Sequence, residues 1–176
     1  MGGASNQKII TGGYHMEIER KFLVNKEQIP QDLENYPHNE LEQAYIITDP
    51  VLRIRKKDSS YILTYKGPGL MKREEVEFPL TKEAYDKLLT KTDGNIITKT
   101  RYKIPTKNHL TIEFDIFSGL FEGLFLAEVE FPDEETAIHY IPPAWFGKEV
   151  TNENTFHNST LSSMEENEIA GLIQSL

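Results

Sequence analysis

The chain of 176 residues has no cysteine, which excludes thiol nucleophiles, zinc–cysteine sites and disulfide scaffolds, and fits a reducing, cytoplasmic setting. Positive charge is in short supply: 19 Lys and Arg stand against 28 Asp and Glu, a formal net charge of -9. That balance excludes a nucleic-acid binder resting on a broad basic face, because such binding displaces counterions from phosphates with Lys and Arg. Long apolar runs are also missing. None approaches the roughly 20 residues of a membrane-spanning helix, so no membrane partner is expected. No internal repeat, linker or signal-peptide layout is present. An anionic ligand would therefore be met by basic residues gathered in one place, by a divalent cation bridging it to carboxylates, or by both.

What is there is one domain's worth of chain. Residues 1–15 carry Gly and Ser without pattern and are read as a tail or cloning remnant, with Met16 as a candidate start; residues 16–176 are read as the domain. From Met16 onward, short period-2 segments alternate with turn residues, the mark of antiparallel β structure. Strands are expected near residues 16–24, 41–48, 51–57, 61–66, 73–80, 96–104, 110–117 and 124–131. Breakers separate them, among them Asp49-Pro50, Asp58-Ser59-Ser60, Gly67-Pro68-Gly69 and Asp93-Gly94-Asn95. Thr81 opens a helix with a capping pattern, Asp133 to Tyr140 a second, and Asn154 onward a C-terminal one carrying Phe156, Leu161, Met164, Ile169 and Leu172.

Residues two apart on a strand share a face, and this rule sorts the charges. Glu17, Glu19 and Lys21 fall on one face against Ile18 and Phe22, with Arg20 the exception on the apolar side. Arg53 and Arg55 oppose Leu52 and Ile54; Arg73, Glu75 and Glu77 oppose Val76 and Phe78. Glu113 and Asp115 oppose Ile112 and Phe114, and Glu128 and Glu130 oppose Val129 and Phe131. Lys66 with Thr64, and Lys99 with Arg101, extend the set. A one-sided sheet with a solvated face would explain alternation by itself. It does not explain repeated doublets of like charge, which repel along one strand. Closing the sheet into a barrel with this face inward lets acids and bases neutralise one another.

The residue types suit one chemistry. Arg presents a planar fork of donors matched to phosphate oxygens, and several forks around a cavity can follow a linear chain of phosphates. Carboxylates repel phosphate but hold Mg²⁺ or Mn²⁺, hard cations that bridge protein carboxylates to phosphates. His38, His109, His139 and His157 show no ligand spacing and are read as surface or satisfied side chains. Trp145 is read as packing.

The segment Glu17-Ile18-Glu19-Arg20-Lys21 resembles the ExExK signature of the CYTH superfamily, the triphosphate tunnel metalloenzymes. It is followed in family order by Arg53-x-Arg55, Lys66-Gly67, Arg73-x-Glu75-x-Glu77, Lys99-Thr100-Arg101-Tyr102, Glu113-x-Asp115 and Glu128-x-Glu130. Trp145-Phe146-Gly147-Lys148-Glu149-Val150-Thr151 and Asn158 resemble the tail of the small bacterial members. The resemblance implies an α+β fold: a closed eight-stranded antiparallel tunnel with a charged interior, flanked by helices. It implies Glu17, Glu19, Glu128 and Glu130 as ligands of Mg²⁺ or Mn²⁺, with Asp115 in support. It implies Arg53, Arg55, Lys66, Arg73 and Arg101 as the triphosphate grip, and Glu75, Glu77, Lys99 and Glu113 as supporting tunnel charges. Lys21 and Tyr45 match the pair implicated in activating water. Two positions depart from the family pattern: Gln-Ala-Tyr stands before that tyrosine where Gln-Gly-Tyr is usual, and Phe156 stands where Tyr is common.

The activity so implied is metal-dependent hydrolysis of inorganic triphosphate to pyrophosphate and phosphate. Thiamine triphosphatase and adenylate cyclase are alternatives on the same fold, and a non-catalytic module binding polyphosphate or nucleotide is the alternative from another class. Small members are often dimeric, so a homodimer stays open, with no seam readable in the sequence.

Overall fold

Alternation of charged and apolar residues produces the barrel directly, because each strand then has one face for an outer apolar layer and one for the lumen. The computed structural model describes residues 14–176. The strands are β1 (Tyr14–Leu23), β2 (His38–Thr48), β3 (Val51–Lys57), β4 (Ser60–Lys66), β5 (Lys72–Leu80), β6 (Asp93–Pro105), β7 (Thr111–Ser118) and β8 (Phe125–Glu130). All neighbours are antiparallel, and the sheet closes in the order β1-β5-β4-β3-β2-β6-β7-β8. Each of the eight expected strands is present. Of the expected tail, residues 1–13 lie outside the described residues, while residues 14 and 15 already belong to β1.

Two expectations are corrected. Asp93-Gly94-Asn95 does not break the chain but opens β6. Gly94 has φ 76°, and a Cβ there would come within 2.1 Å of the Ser162 carbonyl oxygen, so glycine lets the strand run on beneath the C-terminal segment. That segment is not one helix. It is a 3-10 turn (Asn154–Phe156) and two short helices, α3 (Asn158–Ser162) and α4 (Glu166–Gln174). Glu165 interrupts it as the N-cap of α4, in a reciprocal capping box with Glu168. Asn95 holds the break by donating to the Met164 carbonyl at 2.7 Å.

The other helices are α1 (Lys82–Leu89) and α2 (Glu134–His139). Thr81 caps α1 by accepting the Ala84 N–H at 3.2 Å, and Tyr85 is buried against Ala44 and Ile54. Covering a side chain of that size contributes about 1.5–3 kcal/mol. The apolar core therefore lies outside the barrel, in three clusters between strands and helices. Ile18, Phe22, Phe114 and Val129 meet Trp145 and Phe146; Ile97, Leu126, Val150 and Leu161 meet Ile169; and the third lies under α1.

One seam is composite. β1 pairs with β5 only as far as Ile18, after which Glu19 N–H reaches the Met71 carbonyl at 2.9 Å. Beyond that point residues 147–150 take the place of β5. Gly147 N–H donates to Leu23 O at 2.7 Å, Leu23 N–H to Lys148 O at 2.9 Å and Val150 N–H to Lys21 O at 2.8 Å. This backbone pairing places a C-terminal stretch directly behind the charged half of β1.

Candidate active site

The charged faces converge on one lumen, a cavity of about 230 Å³ inside the barrel. Glu17, Glu19, Lys21, Arg53, Arg55 and Lys66 line it, as do Arg73, Glu75, Glu77, Lys99 and Arg101 and, from β7 and β8, Glu113, Glu128 and Glu130. Tyr45 lines it too, with its hydroxyl accepting from Gln43 Nε2 at 3.1 Å. Asp115 is the one predicted residue set back from the lumen. It is fully buried, with its oxygens taken by Lys99 and by both arms of the Arg101 fork at 2.6 Å.

The acids of β1 and β8 are cross-neutralised. Lys66 Nζ lies 2.6 and 2.7 Å from the two Glu17 oxygens, and Arg73 Nε 2.9 Å from one of them. Burial by itself would raise Glu17; Lys66 and Arg73 outweigh it and hold the group well below the usual carboxylate range. Glu128 behaves likewise: burial opposes its charge, but Lys21 at 2.9 Å and Arg101 keep it ionised. Glu19 is different. Its pKa is raised by burial, reinforced by Glu128 and Glu17, and Lys21 at 3.7 Å offsets only part of this.

Lys21 answers a question the sequence leaves open. Burial pushes its ammonium toward neutrality, but Glu128 and Glu19 prevail and raise its pKa. Lys21 therefore stays charged, and Tyr45, raised by burial against the pull of Arg53 and Arg55, stays a phenol. Lys99 is pushed down to about 8, by burial first, with Asp115 opposing.

The β3 wall is neutralised less closely, with Glu77 and Glu75 acting on it from a distance. Arg53 donates to Thr64 Oγ1 at 3.1 Å and reaches Glu77 only at 3.8 Å; its Nε has no partner. Arg55 makes no salt bridge or hydrogen bond among the described residues, and its Nε is buried without an acceptor. Burial, then Arg53, then Arg101 lower its pKa to about 10.

The oxygen-only acidic set fits a hard divalent cation in kind. The under-compensated charge of Glu19, pressed by Glu17 and Glu128, is what such a cation would relieve. Among the described residues no three carboxylates converge at metal-ligand distance, because Glu17 and Glu128 are turned to their basic partners.

Gln43, Lys57, His157 and Asn158 also line the lumen and were not foreseen. Lys57 continues the Arg53, Arg55 alternation by two residues, so the period-2 rule reaches it. His157, read as a surface or satisfied side chain, is 7% exposed and within hydrogen-bonding distance of the Thr151 carbonyl at 3.3 Å. Burial, aided by Lys21 and Arg73, lowers it to about 4. Asn158 Oδ1 is buried without a partner. With Phe156 and Leu161 packed around Tyr45 and Ile97, this segment forms the floor of the lumen. No sequence signal places it there, since the chain returns more than a hundred residues after β1. Trp145 packs outside the barrel on Phe114 and Phe146, as expected.

The model of the CYTH domain matches residues 15–165 of the chain. The chain belongs to the CYTH family. This CYTH protein is 36% identical over 154 residues to an inorganic triphosphatase of Nitrosomonas europaea, covering 83% of this chain and 96% of the relative. To an inorganic triphosphatase of Acetivibrio thermocellus it is 35% identical over 150 residues, covering 82% and 92%. A solved structure of an inorganic triphosphatase superposes with TM-score 0.64 at 34% identity, over 85% of this chain and 95% of that one. The closed eight-stranded tunnel is thus the family's fold in this chain. Among the described residues no helix is long and apolar enough to cross a membrane.

Proposed function

We propose that this CYTH protein hydrolyses inorganic triphosphate to pyrophosphate and phosphate. The carrying observation is the asymmetry of the lumen, in which buried Arg53 meets an acid only at 3.8 Å and half-buried Arg55 makes no ion pair among the described residues, while the facing acids are held closely by Lys66, Arg73 and Lys21. An unpaired buried guanidinium is costly unless an anion occupies the space before it. The curated relatives named above act as inorganic triphosphatases. Among the described residues the rings lining the lumen are Tyr45 and His157, and those residues offer no further aromatic platform for an adenine or a thiamine ring.

In this reading Arg53, Arg55, Lys66, Arg73 and Arg101 bind the chain, and Glu75, Glu77, Lys99 and Glu113 set the orientation of those basic groups. Glu17, Glu19, Glu128 and Glu130, with Asp115 behind them, would hold Mg²⁺ or Mn²⁺. That cation supplies neutralisation of phosphate oxygens and electrostatic stabilisation of the transferring phosphoryl group. Lys21 and Tyr45 orient the attacking water as donors. A loose phosphoryl-transfer transition state asks more for positioning than for proton abstraction, so a charged Lys21 suits that part. The absence of cysteine supports a cytoplasmic site of action. Tyr65 and Phe78, exposed on adjoining β4 and β5, support a homodimer, which light scattering at twice 20.3 kDa would report; a mass of 20.3 kDa at working concentration removes it.

Phosphate release from triphosphate, ATP and thiamine triphosphate with added Mg²⁺ or Mn²⁺ tests the function, with Glu17→Gln and Glu128→Gln as controls. Triphosphate is expected to be the preferred substrate and both variants to be nearly inactive. Binding without turnover, or cyclic AMP formed from ATP faster than phosphate from triphosphate, refutes it.

A further inference from the structure

Arg20 is the one charged residue on the apolar face of β1, and the lumen chemistry does not use it. It points outward and grips Glu149 with both arms, Nε to Oε1 at 2.9 Å and Nη2 to Oε2 at 2.6 Å. Its Nη1 donates to the carbonyls of Ala137 at 2.8 Å and Tyr140 at 3.0 Å. Glu149 Oε1 also leads inward. The Thr151 hydroxyl donates to Glu149 Oε1 at 2.7 Å, and Thr151 Oγ1 accepts the Lys21 N–H at 3.0 Å. Val150 N–H closes the far side on Lys21 O at 2.8 Å. Thr151 is buried, and its carbonyl lies 3.3 Å from His157 Nε2.

The reason for this chain of contacts lies in the composite seam. At Lys21, β1 has no β5 neighbour on one edge; residues 147–150 take its place there and meet the Lys21 carbonyl, but the Lys21 N–H is met by a side chain instead of by backbone. A hydroxyl can satisfy that orphan N–H only if its own proton goes elsewhere. Glu149 takes the proton, and Arg20 fixes Glu149. We propose that Thr151, oriented by the Arg20–Glu149 pair, is a positioning residue for the hydrolytic reaction: from behind the barrel wall it sets where Lys21 presents its ammonium in the lumen, and it ties that setting to the floor through His157. This inference rests on the reading of Lys21 as a group that acts on the attacking water.

The test uses the full chain and triphosphate hydrolysis. Thr151→Val keeps the shape and removes the hydroxyl; Thr151→Ser keeps the hydroxyl. Loss of one buried hydrogen bond behind Lys21 is expected to lower kcat about tenfold in Thr151→Val while KM stays within about threefold. Thr151→Ser is expected to turn over at close to the native rate. In a Lys21→Met background, Thr151→Val is expected to cost nothing further, because the group it positions is gone. Native turnover in Thr151→Val, equal impairment of Ser and Val, or full additivity with Lys21→Met overturns the inference alone. Native turnover in Lys21→Met overturns the reading of Lys21 and this inference with it. Should Thr151→Val not fold, Glu149→Gln takes its place: a fall in kcat without a rise in KM is expected, and a rise in KM alone, or no change, overturns the proposal.

Discussion

Two walls of the same tunnel solve the problem of buried charge in opposite ways. On the acidic wall, Glu17 and Glu128 each have basic partners within 3 Å, and their ionised state belongs to the folded protein itself. On the basic wall, Arg55 makes no close ion pair among the described residues, with Glu77 and Glu75 acting on it only from a distance, and Arg53 has one only at 3.8 Å. Glu17 and Glu128 thus hold their charge with or without a ligand, whereas in the proposed function the basic wall gives up stability for a binding surface. Substitutions on the two walls should separate stability from activity in opposite directions.

The largest effect is expected at Arg55. Arg55→Met should lower triphosphate turnover about 10²- to 10³-fold, by analogy with removal of one preorganised donor to a developing anion. Its melting temperature should hold or rise, because an unpaired charge has left the interior. A melting temperature that falls by several degrees would break the comparison, since it would mean that Arg55 is structurally paired. Next comes Glu17→Gln, which leaves Lys66 and Arg73 short of their main partner. Breaking such a buried cluster costs about 3 kcal/mol, or about 6–12 °C in a chain of this size. Calorimetry without added metal checks it, and an unchanged melting temperature would show that the acidic wall too exists only for the ligand.

The smallest effect sharpens the same contrast outside the lumen. Glu149, whose pKa is lowered by the hydrogen bonds from Arg20 in particular, is part of a partly exposed pair, so Glu149→Gln should cost no more than about 1 kcal/mol. The sign follows from the lowered pKa. The folded state favours the carboxylate, so the contribution is complete above the unfolded value of about 4.3 and fades as pH falls through the folded value below it. The gap in melting temperature between native protein and variant should therefore be present at pH 7 and close in acid; a gap that widens in acid would contradict the pairing.

Period-2 alternation made the barrel legible because a strand has only two faces. Once Ile18, Ile54 and Val129 are assigned to the outside, Glu17, Arg53 and Glu128 have nowhere to go but the lumen. Lys57 was within reach of the same rule. The floor was not, because His157 and Asn158 lie in short turns and helices that follow no strand period. Their approach to Lys21 depends on residues 147–150 replacing β5 along β1. Nor could the sequence say whether Lys21 is charged: Arg53, Arg55, Glu19 and Glu128 all share its lumen, and only their distances decide which sign prevails.

The sequence by itself determined the eight strands and their inward charges, because side-chain parity is a local property of extended backbone. Tertiary structure alone decided which charges neutralise one another, which arginines remain unpaired, and that a buried threonine stands behind Lys21. Those are matters of ångströms between residues far apart in the chain, and Coulomb and hydrogen-bond energies depend on that separation rather than on order along the sequence.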